Sequence, residues 1–126
     1  MTNQLNCTFS VVDWNEQIIE EKEGYKTSQA HVTYLYQGDI VGESKAEFTL
    51  LYQPDETAVF TALEKIEGAF NGKPGTLILS HSGIHDNAAR GRCVIERGYG
   101  AMKGKAGLGQ YIADASSVSL SLELID

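Results

Sequence analysis

Cysteine, proline and cations are all scarce in this chain. Its two cysteines, Cys7 and Cys93, stand far apart with no CxxC spacing. That argues against a metal site or redox pair and points to two buried or half-buried thiols in a reducing cytoplasm. Two prolines against 13 glycines suit bent, tightly turned β-structure. Ten bases against 17 acids leave a net charge of −7. A nucleic-acid binder normally carries a basic surplus, so no nucleic-acid partner is expected. No apolar run approaches the roughly 18–20 residues that a membrane helix needs. The opening stretch Met1-Thr2-Asn3-Gln4-Leu5-Asn6 has no cationic segment followed by an apolar core, so neither a secretory signal nor a membrane partner is expected.

The familiar catalytic and cofactor motifs are missing as well. Gly98-Tyr99-Gly100-Ala101-Met102-Lys103-Gly104 puts Lys103 where a dinucleotide fingerprint needs glycine, and no βαβ context surrounds it. Gly104-Lys105 is followed by Ala106, which lacks the magnesium-binding hydroxyl of a phosphate loop. No serine sits in a GxSxG elbow, and no cysteine has a histidine at a family spacing. His31, His81 and His85 lack the HxH or i,i+4 spacing of a zinc site. No cofactor and no metal are expected.

What the chain does have is a core. Of its 126 residues, 42% are hydrophobic, enough for one domain over residues 1–126 and too few for a comfortable pair. The dominant period is two. Val118, Leu120, Leu122 and Leu124 alternate with Ser117, Ser119, Ser121 and Glu123, the pattern of a half-buried antiparallel strand. The same rhythm marks strands at 7–12, 29–36, 45–52, 60–67, 76–82 and 92–97. Gln37-Gly38-Asp39 and Asn71-Gly72-Lys73-Pro74-Gly75 read as hairpin turns, Gln53-Pro54-Asp55-Glu56 as a turn, and 82–87 as a longer loop. Only Asn15–Gly24 suggests a helical turn. The glycine-rich 98–109 segment reads as a bent last-but-one strand or a close backbone crossing. Seven or eight strands with short links predict an all-β sandwich or barrel.

Charge is uneven. Residues 1–72 hold 12 acids and 4 bases, and residues 73–126 hold 5 acids and 6 bases. The basic stretch Arg90–Lys105 is expected to be a solvated face or to meet an acidic surface of this chain or a sister subunit.

Two polar residues fall on apolar faces. Glu64 shares its face with Phe60, Ala62 and Ile66, and His81 follows Leu77 and Leu79. A carboxyl group among hydrocarbon must find donors or a cation, or else give up its charge, and such a group can serve as general acid or base. A histidine beside it can move a proton or orient a ligand. Each can equally be a satisfied core residue. Tyr34, Tyr36 and Tyr52 also face inward, where each buried hydroxyl needs a partner.

Further residues carry a family resemblance. Trp14 after Phe9 and Val11, then Ala30-His31-Val32, Gly38-Asp39-Ile40, Gly42-Glu43, Glu47-Phe48, Tyr52, the 68–76 run and Leu79-Ser80-His81-Ser82-Gly83 come in a characteristic order. Together they resemble a family of small bacterial proteins of unknown function. The resemblance implies a closed antiparallel barrel of about eight strands, like that of plant allene oxide cyclase, which holds a fatty-acid epoxide in an apolar lumen. The leading expectation is therefore a cytoplasmic barrel binding a small apolar or amphipathic ligand, with Tyr34, Phe48, Phe60, Glu64, Leu79 and His81 as ligand-binding candidates. The first alternative is a cofactor-independent isomerase, cyclase or lyase. Its general acid/base is Glu64, with His81 as a second catalytic candidate orienting the ligand alongside Tyr34. The second is a structural or assembly protein. A homo-oligomer, a dimer by guess, is compatible with all three.

Overall fold

The computed structural model describes residues 3–113 and 117–125; Met1 and Thr2 of the opening stretch lie outside them. Every regular element described is a strand: β1 (Asn3–Lys22), β2 (Tyr25–Gly38), β3 (Ile40–Tyr52), β4 (Ala58–Phe70), β5 (Lys73–His85), β6 (Ala89–Gly100), β7 (Ala106–Ala113) and β8 (Ser117–Ile125). Each pairs antiparallel with the next, and β1 pairs with β8, so eight strands close an up-and-down barrel. Among the described residues no helix is long and apolar enough to cross a membrane.

Alternation decides which way each side chain points. In β8 the even residues Val118 to Leu124 are buried and the odd ones exposed. In β4 Ala58, Phe60, Ala62, Glu64 and Ile66 point in, with exposed residues between them. A barrel of eight strands has an interior about wide enough for side chains to fill. One end is filled here. Leu5, Tyr36, Ile40, Ile66, Phe70, Leu77, Met102 and Leu122 are all nearly inaccessible. The turns over that end are tied together, Asp39 N–H to Asn6 O (2.9 Å), Asn71 N–H to Asp39 O (2.8 Å) and Ala101 N–H to Pro74 O (3.0 Å).

The opposite end differs because β1 outruns its partner. Among the described residues β8 accompanies β1 as far as Ser10, whereas β2 follows it to Lys22. Asn15–Gly24, the one segment that could have held a helical turn, is instead the second half of β1, ending in the two-residue turn Glu23–Gly24. Both turn residues have positive φ, 50° and 87°, the geometry that matches strand twist. Register shifts at Val11/Asp13 and Ile18/Glu20 bend this half, and local helix-like spacing yields to the long ladder with β2. Two further expectations shift in the same direction. Lys73–Gly75, read as part of a hairpin turn, and Gly83–His85, read as loop, continue β5. The glycine-rich segment divides into the end of β6, a turn over 101–105, and β7.

The core predicts its own energetics. Leu77 is fully buried, while Leu63 on the outer wall is 60% exposed. Leu77→Ala is expected to lower unfolding free energy by about 2–5 kcal/mol. Leu63→Ala should stay within about 0.5 kcal/mol. Urea titration with an unchanged m-value checks both; equal effects would contradict this inside–outside assignment.

Candidate functional site

Within the open half of the barrel lies a chamber of about 410 Å³. Its wall includes Phe9, Tyr34, Phe48, Leu50, Phe60 and Val118, and its polar lining includes Glu64, His81 and Tyr111. A larger trough of about 880 Å³ runs along the outer wall past Thr49, Thr61, Ser82, Arg92 and Gln110. These five stand in one register row from β3 to β7. The trough lies on the solvent side of that wall, whereas the chamber opens into the barrel interior.

Glu64 arrives in the interior by parity alone and is 2% exposed. Its charge is met by donors from three strands. Tyr36 Oη donates to Oε2 at 2.7 Å and Ser44 Oγ donates to the same oxygen at 2.5 Å. His81 Nε2 lies 2.6 Å from Oε1. The other ring nitrogen, Nδ1, lies 2.9 Å from Tyr111 Oη. A carboxylate at Oε1 calls for N–H on Nε2, so Nδ1 accepts from the tyrosine hydroxyl; this tautomer is assigned from the network. A line of hydrogen bonds thus runs from Glu64 through His81 to Tyr111. Glycine makes room for its last member, since a Cβ on Gly91 would lie 2.5 Å from the Tyr111 ring and hydroxyl.

A second polar cluster stands at the mouth. Glu16 accepts from Trp14 Nε1 (3.0 Å), Ser28 Oγ (2.5 Å) and Tyr52 Oη (2.6 Å). This holds Trp14 against Phe48, ring centroids 5.6 Å apart, and the indole lines the chamber entrance. Lys26 Nζ sits 4.6 Å over the Tyr52 ring.

Burial sets the acidities. It pushes both thiols, with help from the Glu64 charge, from 9.0 up to about 12. Burial and then the Glu64 charge also raise the Tyr34 and Tyr36 hydroxyls. Tyr111 is raised by burial first, then by nearby Cys93, Tyr34 and Glu64. Tyr52 rises to about 12 through burial and its bond to Glu16. For Glu16 itself burial pulls upward, but the bonds from Ser28, Tyr52 and Trp14 outweigh it and hold the carboxyl below its ordinary 4.5.

The structure brings Tyr34, Phe48, Phe60, Glu64 and His81 to the chamber. Leu79, expected among them, is fully buried in the core and does not line it. It lies opposite Glu64 and Ile95, on the side where side chains fill the barrel. His31 is exposed beside Glu47, 3.5 Å away. Arg90 pairs with Asp86 on the surface at 3.2 Å. Sequence reasoning missed Ser44 and Tyr111 as partners of the acid and histidine. Their signals were an inward phase shared with Ala46 and Phe48 for Ser44, and with Gly107 and Gly109 for Tyr111. No group of three or more His, Cys, Asp or Glu side chains suited to a metal occurs among the described residues.

Two outcomes follow. Tyr36→Phe removes one donor from a buried carboxylate and should destabilise by about 1–3 kcal/mol in urea titrations; no loss would mean that water replaces the donor. The raised thiols keep their protons in the folded state while the unfolded chain loses them. Their stabilisation is full below pH 9, and it is lost as pH rises towards about 12. Unfolding free energy should therefore fall between pH 9 and 12, less steeply in a Cys7→Ala/Cys93→Ala variant. An identical slope in that variant would assign the effect to the tyrosines alone.

Comparison with known proteins fits this architecture. No curated protein matches the chain. A crystal structure of a protein of unknown function from the DUF3224 family of Shewanella oneidensis superposes with a TM-score of 0.80 at 16% identity, covering 99% of this chain and 98% of that one; at that identity the likeness is one of fold. The family model for DUF3224, a protein of unknown function, matches residues 5–124, and the chain therefore belongs to the DUF3224 family.

Proposed function

We propose that this protein is a ligand-binding barrel that holds one small apolar or amphipathic molecule in its chamber. The carrying observation is the partly enclosed space of about 410 Å³ walled by aromatic rings, with a few convergent polar groups among them. Binding sites for small molecules have this make-up. The allene oxide cyclase-like character suggested by the sequence supports the same reading, because in that barrel an apolar lumen is the binding site; its ring-closing activity is not carried over. Burial of rings and hydrocarbon supplies the affinity, and the Glu64–His81–Tyr111 line orients the polar end.

One observation favours a second reading, cofactor-independent proton transfer. The line ends on a tyrosine hydroxyl that faces the chamber. In such a step Tyr111 gives its proton to His81 Nδ1 and its oxygen takes one from a ligand carbon. Glu64 balances the imidazolium. The burial that raises the Tyr111 hydroxyl disfavours the tyrosinate this requires, so binding ranks first.

Native mass spectrometry of freshly purified protein should show a retained small molecule, and N-phenyl-1-naphthylamine should brighten on entering the chamber. Ala113→Trp, at the half-buried entrance, should reduce probe binding at least about tenfold with little loss of stability. Unchanged probe binding in that variant would place the probe elsewhere and defeat the proposal.

A further inference from the structure

Charge in the chamber is one-sided. Among the described residues lining it there is no Lys or Arg. Its titratable groups are Glu64, His81, His85, Tyr34, Tyr52 and Tyr111. His81 is bound directly to Glu64, so even a protonated imidazole leaves that pair neutral. At the entrance Glu16 adds a second carboxylate, with Lys26 near it. An anionic head group would thus shed its water and gain no buried cation in return.

Hydrogen-bonding capacity points to what is accepted instead. Tyr34 is 8% exposed and lines the chamber; among the described residues no side-chain hydrogen bond engages its hydroxyl, and since no buried polar side-chain atom is left unpaired, that oxygen is accessible. It remains an O–H donor. Tyr111 spends its proton on His81 and keeps lone pairs free to accept. Both rings stand nearly perpendicular to Phe9, with centroids 5.1 and 5.8 Å away, and both line the chamber. A ligand hydroxyl can accept from Tyr34 or donate to Tyr111, and a carbonyl can accept from Tyr34. An ammonium group would find both Glu64 oxygens already engaged by Tyr36, Ser44 and His81.

From this arrangement we infer that the chamber selects a neutral ligand, an apolar and preferably aromatic body carrying one hydroxyl or carbonyl oxygen, and rejects its anionic counterparts. The inference rests on the ligand-binding reading above.

The test uses calorimetric titration of the full chain at neutral pH with naphthalene and three naphthalene probes alike except at the head group: 2-naphthalenemethanol, 2-naphthoate and 2-naphthylmethylammonium. The alcohol should bind tightest and the carboxylate at least about tenfold more weakly, the order of effect one uncompensated charge produces at intermediate dielectric. Tyr34→Phe should cut the alcohol's advantage over naphthalene about fivefold while leaving naphthalene's own affinity unchanged. Should the carboxylate or the ammonium match or exceed the alcohol, charge selection is overturned and the ligand-binding reading stands. Should none of the four enter, both fall together. The comparison of head groups on the unaltered protein decides the matter even if the tyrosine variant folds poorly.

Discussion

A carboxylate enclosed by a β-barrel is the constraint around which this structure is arranged. Left without partners, a buried charge of this kind would cost several kcal/mol. Glu64 is therefore held by Tyr36 from β2, Ser44 from β3 and His81 from β5, all within 2.7 Å. Three strands are thereby locked to a fourth across the interior, in addition to their backbone ladders. Directional bonds of this sort specify a single arrangement, whereas hydrocarbon packing tolerates exchange.

The same acid marks where the character of the interior changes. Towards one end, Ile40, Ile66, Phe70, Leu77 and Met102 fill the barrel. Towards the other, rings line a space instead of filling it. The unequal pairing of β1 accounts for this asymmetry. Past Ser10, among the described residues, its ladder continues with β2 alone, and Trp14, held by Glu16, packs on Phe48 beside the opening. Bulges and the acids Asp13, Glu16, Glu20 and Glu21 lie along this edge, features that discourage pairing with another strand.

Much of the barrel was legible because β2, β3, β4 and β8 carry a clean two-residue alternation. Val118 to Leu124 read inward without help from any other part of the chain, as did Phe60 to Ile66. Glu64 and His81 stood out for the same reason, being polar residues in an apolar phase. The Asn15–Gly24 segment misled because its turn places Glu23 at positive φ, a site where a sequence reader looks for asparagine or glycine. Tyr111 was overlooked because the glycines at 98–109 hid the alternation of β7. Leu79 was assigned to the pocket because phase says inward but not how far along the barrel axis a residue lies.

In the regularly alternating strands the chain alone determined which side chains point inward or outward, since the pleat alternates by geometry. It thereby determined that an acid and a histidine share the interior. Only the tertiary structure decided that Glu64, His81 and Tyr111 meet in one line, that Ser44 completes the shell of the acid, and that one half of the lumen stays open. Those facts depend on barrel stagger and on where the β1–β8 ladder ends. Both are properties of strands distant in sequence, and no local pattern encodes them.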